Sequence, residues 1–202
     1  MTHAFADRAA YGGDPDFSNI PIDRLLNKGL HKTLLIWSPR QGPQPVQESG
    51  LASIRGELPV SNQNDDNGTT HFSILDKFGN AVALTSTINL AFGAKMMDPE
   101  TGVIFNNEMD DFAARPGVPN AFGLIQGEAN APDAKKRPLS SMSPTIVMDG
   151  GDVYLALGAS GGPRIITGTI QTLLRILDGG MSPKDAISIP RIHHQWLPTT
   201  VW

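Results

Sequence analysis

The sequence predicts an α+β fold, and three observations predict it. A β-rich alternating run begins at Thr69, two more strand-like runs follow position 144, and the strongest helical periodicity, from Ile165 to Leu177, comes only after them. Strands first and helices after suit stacked layers better than an alternating βαβ chain. The 202 residues are 40% hydrophobic and 6% aromatic, which suits one globular domain with a sizeable core.

Bulk charge removes several classes of function. The net charge of -4 and pI near 5.7 leave no basic stripe for nucleic acid or anionic lipid, and Lys135-Lys136-Arg137 is the one basic cluster. Cysteine is absent, which excludes disulfides and thiolate metal sites while leaving an oxidising compartment open. No run approaches the ~18 apolar residues of a membrane span. The opening Met1-Thr2-His3-Ala4-Phe5-Ala6-Asp7-Arg8 lacks a basic stretch followed by an apolar one, so no secretion signal is expected in this chain.

The elements follow in order. Pro21-Ile22-Asp23-Arg24-Leu25-Leu26 with Leu30 has helical spacing behind a proline start. From Pro39 to Asn67 the composition turns to Pro, Gly, Gln, Ser, Asn and Asp, too little apolar surface to offset ordering entropy, and a mobile linker is expected. Phe72, Ile74, Val82 and Leu84 alternate around Asp76-Lys77-Phe78-Gly79-Asn80, predicting a hairpin that starts at Thr69. A third strand is expected at Gly102-Val103-Ile104-Phe105. The segment from Ala113 to Pro138, rich in Gly, Pro, Asn and Ala, is long enough to be a functional loop. Strands at Thr145 to Met148 and Val153 to Leu157 join at Asp149-Gly150-Gly151. A helix from about Pro163 to Asp178 presents Ile165, Ile166, Ile170, Leu173, Leu174 and Leu177 and stops at Gly179-Gly180. Ser182-Pro183 starts a shorter helix that Pro190 ends. No internal repeat is evident.

Chemistry concentrates at Gly68-Thr69-Thr70-His71-Phe72-Ser73, where a polar segment meets the first strand. One peptide cleavage there would give a threonine both a hydroxyl to attack with and a freed α-amine, with a reference pKa of about 7.7 to 8.0, to take its proton. That is the layout of an N-terminal nucleophile hydrolase, although the same residues also suit an ordinary strand start. Gly158-Ala159-Ser160-Gly161-Gly162 fits a rival pattern, the strand-to-helix nucleophile elbow, with His193 or His194 and Asp178 as completing partners. The two histidines have no acidic or histidine companions at metal-ligand spacing, and no metal is expected.

Read together, Thr69-Thr70-His71-Phe72-Ser73, Thr87-Ile88-Asn89, Asn106-Asn107-Glu108-Met109-Asp110-Asp111-Phe112, Pro138-Leu139-Ser140-Ser141-Met142-Ser143-Pro144 and Gly161-Gly162 resemble the small subunit of the γ-glutamyltranspeptidase family. Gly117 to Leu124 and His193-His194-Gln195-Trp196-Leu197-Pro198 continue the resemblance, and Tyr11-Gly12-Gly13-Asp14-Pro15-Asp16-Phe17 looks like the close of its large subunit. The resemblance implies a four-layer αββα sandwich of the N-terminal nucleophile hydrolase type, incomplete at both ends. It divides the chain into 1–68, the C-terminal remnant of a large subunit with its linker, and 69–202, a C-terminally truncated small-subunit catalytic domain. A separate large-subunit polypeptide is then an expected partner. The family's large-subunit arginine, which grips the substrate α-carboxylate, has no counterpart in these residues.

By resemblance Thr69 is the nucleophile, released by autocatalytic cleavage after Gly68, whose lack of a side chain leaves the carbonyl uncrowded; Thr70 is its local competitor. Thr87 would hydrogen-bond the nucleophile hydroxyl; without the family it reads as a β-branched strand residue. Asn89, Glu108 and Asp111 would receive the α-ammonium of a γ-glutamyl substrate, and Ser140 and Ser141 its α-carboxylate. Gly161 and Gly162, before a helix start, would form the oxyanion hole. The implied activity is transfer of the γ-glutamyl group of glutathione and related compounds to water, an amino acid or a peptide through a threonine acyl-enzyme, without a cofactor. The loop from Ala113 to Lys136 would cover the pocket. Two alternatives stay open: an inactive or partial fragment of such an enzyme, and a glutaryl amidase of the same superfamily, against which Asp111 argues. The resemblance implies action in the periplasm or outside the cell.

Overall fold

The computed structural model describes residues 1–29, 68–199 and 201–202. The expected linker from Pro39 to Asn67, and Leu30 of the first predicted helix, lie outside the described residues. Instead of one domain the chain forms two compact units, Met1–Ser61 with Met109–Leu139 and His194–Val201, and Asn62–Glu108 with Ser140–His193 and Trp202.

In the first unit, α1 (Thr2–Tyr11) was not expected from the sequence. Its signal is the run of Ala4, Ala6, Ala9 and Ala10, strong helix formers, with Phe5 and Ala9 one turn apart on the buried face. Helix α2 (Ile22–Leu25) is a single turn behind Pro21. The segment from Met109 to Leu139 carries one complete 3-10 turn, Glu128–Asn130, and yet Phe112, Ala113, Leu124, Ile125, Gln126 and Asn130 are buried. Side-chain amides order it. Asn130, at 0% exposure, donates from Nδ2 to the Asp111 carbonyl at 2.7 Å and to Gln126 Oε1, and its Oδ1 accepts the Leu139 amide at 3.0 Å. Loop backbone that is buried without a ladder must find such partners.

The second unit holds two antiparallel hairpins in separate two-stranded sheets. Strands β1 (Thr69–Leu75) and β2 (Ala81–Thr87) pair with Thr69 opposite Thr87, joined where Asp76 Oδ1 accepts the Phe78 and Asn80 amides at 2.8 and 2.9 Å. Strands β3 (Thr145–Asp149) and β4 (Asp152–Leu157) turn through Gly150 and Gly151, both with positive φ. The strand expected at Gly102–Phe105 is reduced to one bridge, Met97 to Ile104, because the turn that Asp98 closes with Thr101 and Gly102 curls this stretch back on itself. Helices α3 (Arg164–Leu177) and α4 (Pro183–Ser188) follow, and Ser182 Oγ accepts the Asp185 amide at 3.2 Å as the α4 cap.

Which face is buried departs from the sequence pattern. Along β1 and β2 the more protected residues are Thr69, His71, Ala81, Ala83, Thr85 and Thr87, whereas Phe72, Ile74, Val82 and Leu84 lie open. Helix α3 likewise buries Ile165, Thr167, Thr169, Thr172 and Ile176 and leaves Ile170, Leu174 and Leu177 exposed. Both sides of these elements are therefore suited to burial, and among the described residues one side is covered.

Close packing makes one glycine in the first unit indispensable. A Cβ at Gly13 would lie 2.2 Å from the Ala129 carbonyl oxygen, a backbone atom that cannot step aside, whereas a Cβ at Gly168 within α3 meets nothing nearer than 3.9 Å. Gly13→Ala is expected to cost about 1–3 kcal/mol in urea unfolding, and Gly168→Ala to stabilise by up to about 1 kcal/mol; equal midpoints for the two variants would contradict the packing.

Candidate active site

The register of the first hairpin sets the geometry. With Thr69 opposite Thr87, their hydroxyl oxygens lie 2.9 Å apart. Thr87 Oγ1 also reaches the Gly68 carbonyl at 3.1 Å and receives the Asn89 amide at 2.8 Å. A hydroxyl has one proton to donate, and a carbonyl can only accept. Thr87 therefore donates to Gly68, and the Thr69 hydroxyl donates to Thr87. The carbonyl that precedes Thr69 is polarised by the same oxygen that orients the Thr69 hydroxyl.

Three local features hold this cluster. Asn89 has φ of 72°, a left-handed conformation that Asn tolerates better than most residues, which turns its amide back onto Thr87. Asn107 pins that turn: its carbonyl accepts Asn89 Nδ2 at 3.1 Å, its Oδ1 accepts the Leu90 amide at 3.0 Å, and its own amide donates to Ile88. Gly68 has no room for a side chain, since a Cβ would lie 2.3 Å from the Asn89 carbonyl oxygen. The glycine serves close backbone approach as well as an uncrowded carbonyl.

His71 occupies the same strand face as Thr69, two residues on. Its Nδ1 pairs with Thr85 Oγ1 at 2.8 Å and its Nε2 with Ser73 Oγ at 3.1 Å. The imidazole rests on Gly158, where a Cβ would fall 2.3 Å from ring atoms. The first hairpin thus meets the stretch that leads from β4 to Gly161 and Gly162. Both of those glycines have positive φ, 126° and 53°, and their carbonyls accept the Arg164 and Ile165 amides that open α3. Their own N–H groups meet no acceptor among the described residues.

Ser140 and Ser141 form a tight turn in the same unit, with Ser140 Oγ accepting the Met142 amide at 3.0 Å and Ser143 Oγ donating to the Ser141 carbonyl at 3.1 Å. Asn89 is buried, and with Nδ2 held by Asn107 the atom left to meet an ammonium is its Oδ1, an acceptor. The chain passes from the second unit into the first within the 3-10 turn Glu108–Asp111. In the first unit, burial pushes the Arg8 guanidinium down to about 10, and the Asp111 carboxylate opposes that fall. Of the histidines that the rival elbow would use, His193 is buried with Nδ1 on Thr167 Oγ1 at 2.8 Å, and His194 Nδ1 pairs with Thr2 Oγ1 at 3.2 Å. Among the described residues no cluster of three metal-ligating side chains exists, and no helix is long and apolar enough to cross a membrane.

The gamma-glutamyltranspeptidase family model matches residues 1–202. This chain belongs to that family. It is 47% identical over 199 residues to the glutathione hydrolase proenzyme of Pseudomonas sp. strain A14, and 46% identical over 197 residues to that of Escherichia coli K12; the alignments cover 98% and 97% of this chain and 33% of each relative. The structure of the T380A mutant of Helicobacter pylori gamma-glutamyltranspeptidase superposes with a TM-score of 0.64 at 49% identity, over 65% of this chain and 71% of that one. The Pseudomonas nitroreducens gamma-glutamyltranspeptidase complexed with L-DON gives 0.63 at 49% identity, over 64% and 67%. The chain spans about a third of the length of the curated relatives it matches.

Within this chain, Thr69, Thr87 and Asn89 meet in one hydrogen-bonded cluster. Two contributors escaped the sequence reading. Asn107 was legible only as part of a motif, and its function as a clamp needs the cross-strand partner to be known. His71 could have been found from its i, i+2 spacing to Thr69. Burial holds His71 below the ordinary histidine value, so the folded state binds the proton more weakly than the unfolded chain. Stability is then full above about pH 6.5 and declines as pH falls below it. Urea midpoints at pH 7 and pH 5 should differ more for the parent than for His71→Gln, the remaining slope including His194, which burial also holds low; parallel slopes would remove His71 from this account.

Proposed function

We propose that the chain carries the reacting centre of a γ-glutamyl-transferring enzyme, with Thr69 as nucleophile after cleavage of the Gly68–Thr69 bond. The observation that supports it most directly is the donation of Thr87 to the Gly68 carbonyl while Thr69 donates to Thr87. Self-cleavage starts when the Thr69 oxygen attacks the Gly68 carbonyl carbon, giving up its proton through Thr87, which steadies the charge that develops on the carbonyl oxygen; the Gly68–Thr69 C–N bond then breaks as the departing Thr69 nitrogen takes up the proton, and water hydrolyses the resulting ester to a Gly68 carboxylate and a free Thr69 hydroxyl. The freed α-amine becomes the base. In turnover it accepts the Thr69 proton as Oγ1 attacks the γ-amide carbonyl, and it returns that proton to the departing amine. Water or an amine acceptor then cleaves the acyl-threonine ester, giving free glutamate or a new γ-glutamyl amide, with ping-pong kinetics. Gly161 and Gly162 supply the donors for the oxyanion.

For substrate recognition we assign Asn89, Glu108 and Asp111 to the α-ammonium and Ser140 and Ser141 to the α-carboxylate, with glutathione and related γ-glutamyl compounds as donors. Residues 1–68 correspond to the end of a large subunit and 69–202 to the catalytic part of a small one. The complete assembly is a four-layer αββα sandwich that includes further large-subunit polypeptide. The open apolar faces of β1, β2 and α3 support that cover, and the family resemblance supports action outside the cytoplasm.

Mass spectrometry under denaturing conditions tests the cleavage: the parent should yield two species, 1–68 and 69–202, and Thr69→Ala one. A glutamine-like electrophile should label Thr69 alone, whereas labelling of Ser160 by a fluorophosphonate would favour the elbow. Replacing the hydroxyl in Thr87→Val should slow cleavage by about a hundred- to a thousandfold, the usual effect of deleting one such donor; cleavage at the parental rate would sink the role of Thr87.

A further inference from the structure

Asp14 is a charged residue at 3% exposure that the proposed chemistry does not use. Arg137 surrounds its carboxylate: the backbone N–H and Nε donate to Oδ2, both at 2.9 Å, and a terminal guanidinium nitrogen donates to Oδ1 at 2.5 Å. The same nitrogen donates to Asp16 Oδ2 at 2.6 Å, and the Asp16 amide donates back to Asp14 Oδ1 at 3.1 Å. A carboxylate removed from water is tolerated only when paired and hydrogen-bonded, and the planar guanidinium fork meets that condition where an ammonium would not. These donors hold the Asp14 carboxyl well below the usual carboxylate range.

Steric fit accompanies the charge. A Cβ on Gly12 would lie 2.6 Å from Leu139 Cδ2, Ser18 Oγ donates to the Ala129 carbonyl at 2.9 Å, and the Gly127 amide donates to the Ala9 carbonyl at 2.9 Å. Residues 9–18 thus lie along residues 127–139 within the first unit. In sequence these two strips stand on opposite sides of residues 68 and 69.

We propose that residues 127–139 are a docking surface for the chain's own N-terminal piece, and that the Asp14 and Asp16 clasp on Arg137 is the lock that retains residues 1–68 after the chain is cut. This rests on the cleavage proposed above. The lock needs no covalent connection across position 68, because the four bonds from Arg137 to Asp14 and Asp16 join the two prospective products directly.

The test uses the full chain with a specific protease site inserted between residues 45 and 55 and Thr69→Ala to prevent self-cleavage, so that every variant is nicked by the added protease. Release of the N-terminal fragment is followed by size-exclusion chromatography in rising urea. The nicked parent should keep its fragment. Asp14→Asn and Arg137→Gln should each release it at least about tenfold faster, with the double variant no worse than the worse single one, as expected for partners in direct contact. Retention in Asp14→Asn within about twofold of the parent, or full additivity in the double variant, overturns the clasp. If uncut Asp14→Asn does not fold, Arg137→Lys, which keeps the charge and loses the fork, carries the comparison, and its parental retention overturns the proposal equally. Failure of the native chain to cut itself would count against the proposed function alone, since the clasp is read on an imposed nick.

Discussion

A single hydroxyl proton organises the candidate site. Thr87 Oγ1 has three neighbours, the Thr69 hydroxyl, the Gly68 carbonyl and the Asn89 amide, and one proton with which to answer them. Because the carbonyl must receive it, the direction of each remaining bond is decided. The hairpin register, the left-handed turn at Asn89, the absence of a side chain at Gly68 and the grip of Asn107 all serve to bring those three groups to one oxygen. A slip of the hairpin register by one residue would invert the strand face and separate the two threonines.

The same register explains the unusual division of the first hairpin. Its protected side carries hydroxyls, an imidazole and alanines, small or polar groups, and its imidazole approaches Gly158 closely. Its large apolar residues lie on the other side. A strand whose polar face is the more protected one has its hydrophobic face left for a second layer, and Ile170, Leu174 and Leu177 on α3 are likewise left open. Alternation in such a sheet shows that two faces differ, but not which of them is turned inward.

The first unit solves a different problem. From Met109 to Leu139 it has almost no regular secondary structure, and its buried backbone is satisfied by side chains instead. Asn130 bonds three separate segments, Gln126 assists it, and the carboxylate of Asp14 gathers the backbone and side chain of Arg137. Polar groups in a low-dielectric interior are costly when unpaired and specifying when paired, which is how a segment rich in Gly and Pro holds one conformation.

Sequence alone determined the order of elements from Thr69 onward, the turns at Asp76–Asn80 and Gly150–Gly151, the caps of the two C-terminal helices, and the family to which the motifs belong. Those features are local: a cap, a turn or a run of alternation is set by neighbours a few positions away. It did not reveal α1, whose polar and alanine-rich surface lacks a strong apolar stripe, nor the collapse of the expected strand at Gly102–Phe105 into one bridge. Tertiary structure alone decided that His71 rests on Gly158, that Asn107 clamps Asn89, and that Asp14 meets Arg137 across 123 positions. Contacts of that kind depend on which segments the fold brings together, and residue types along the chain carry no record of distance through space.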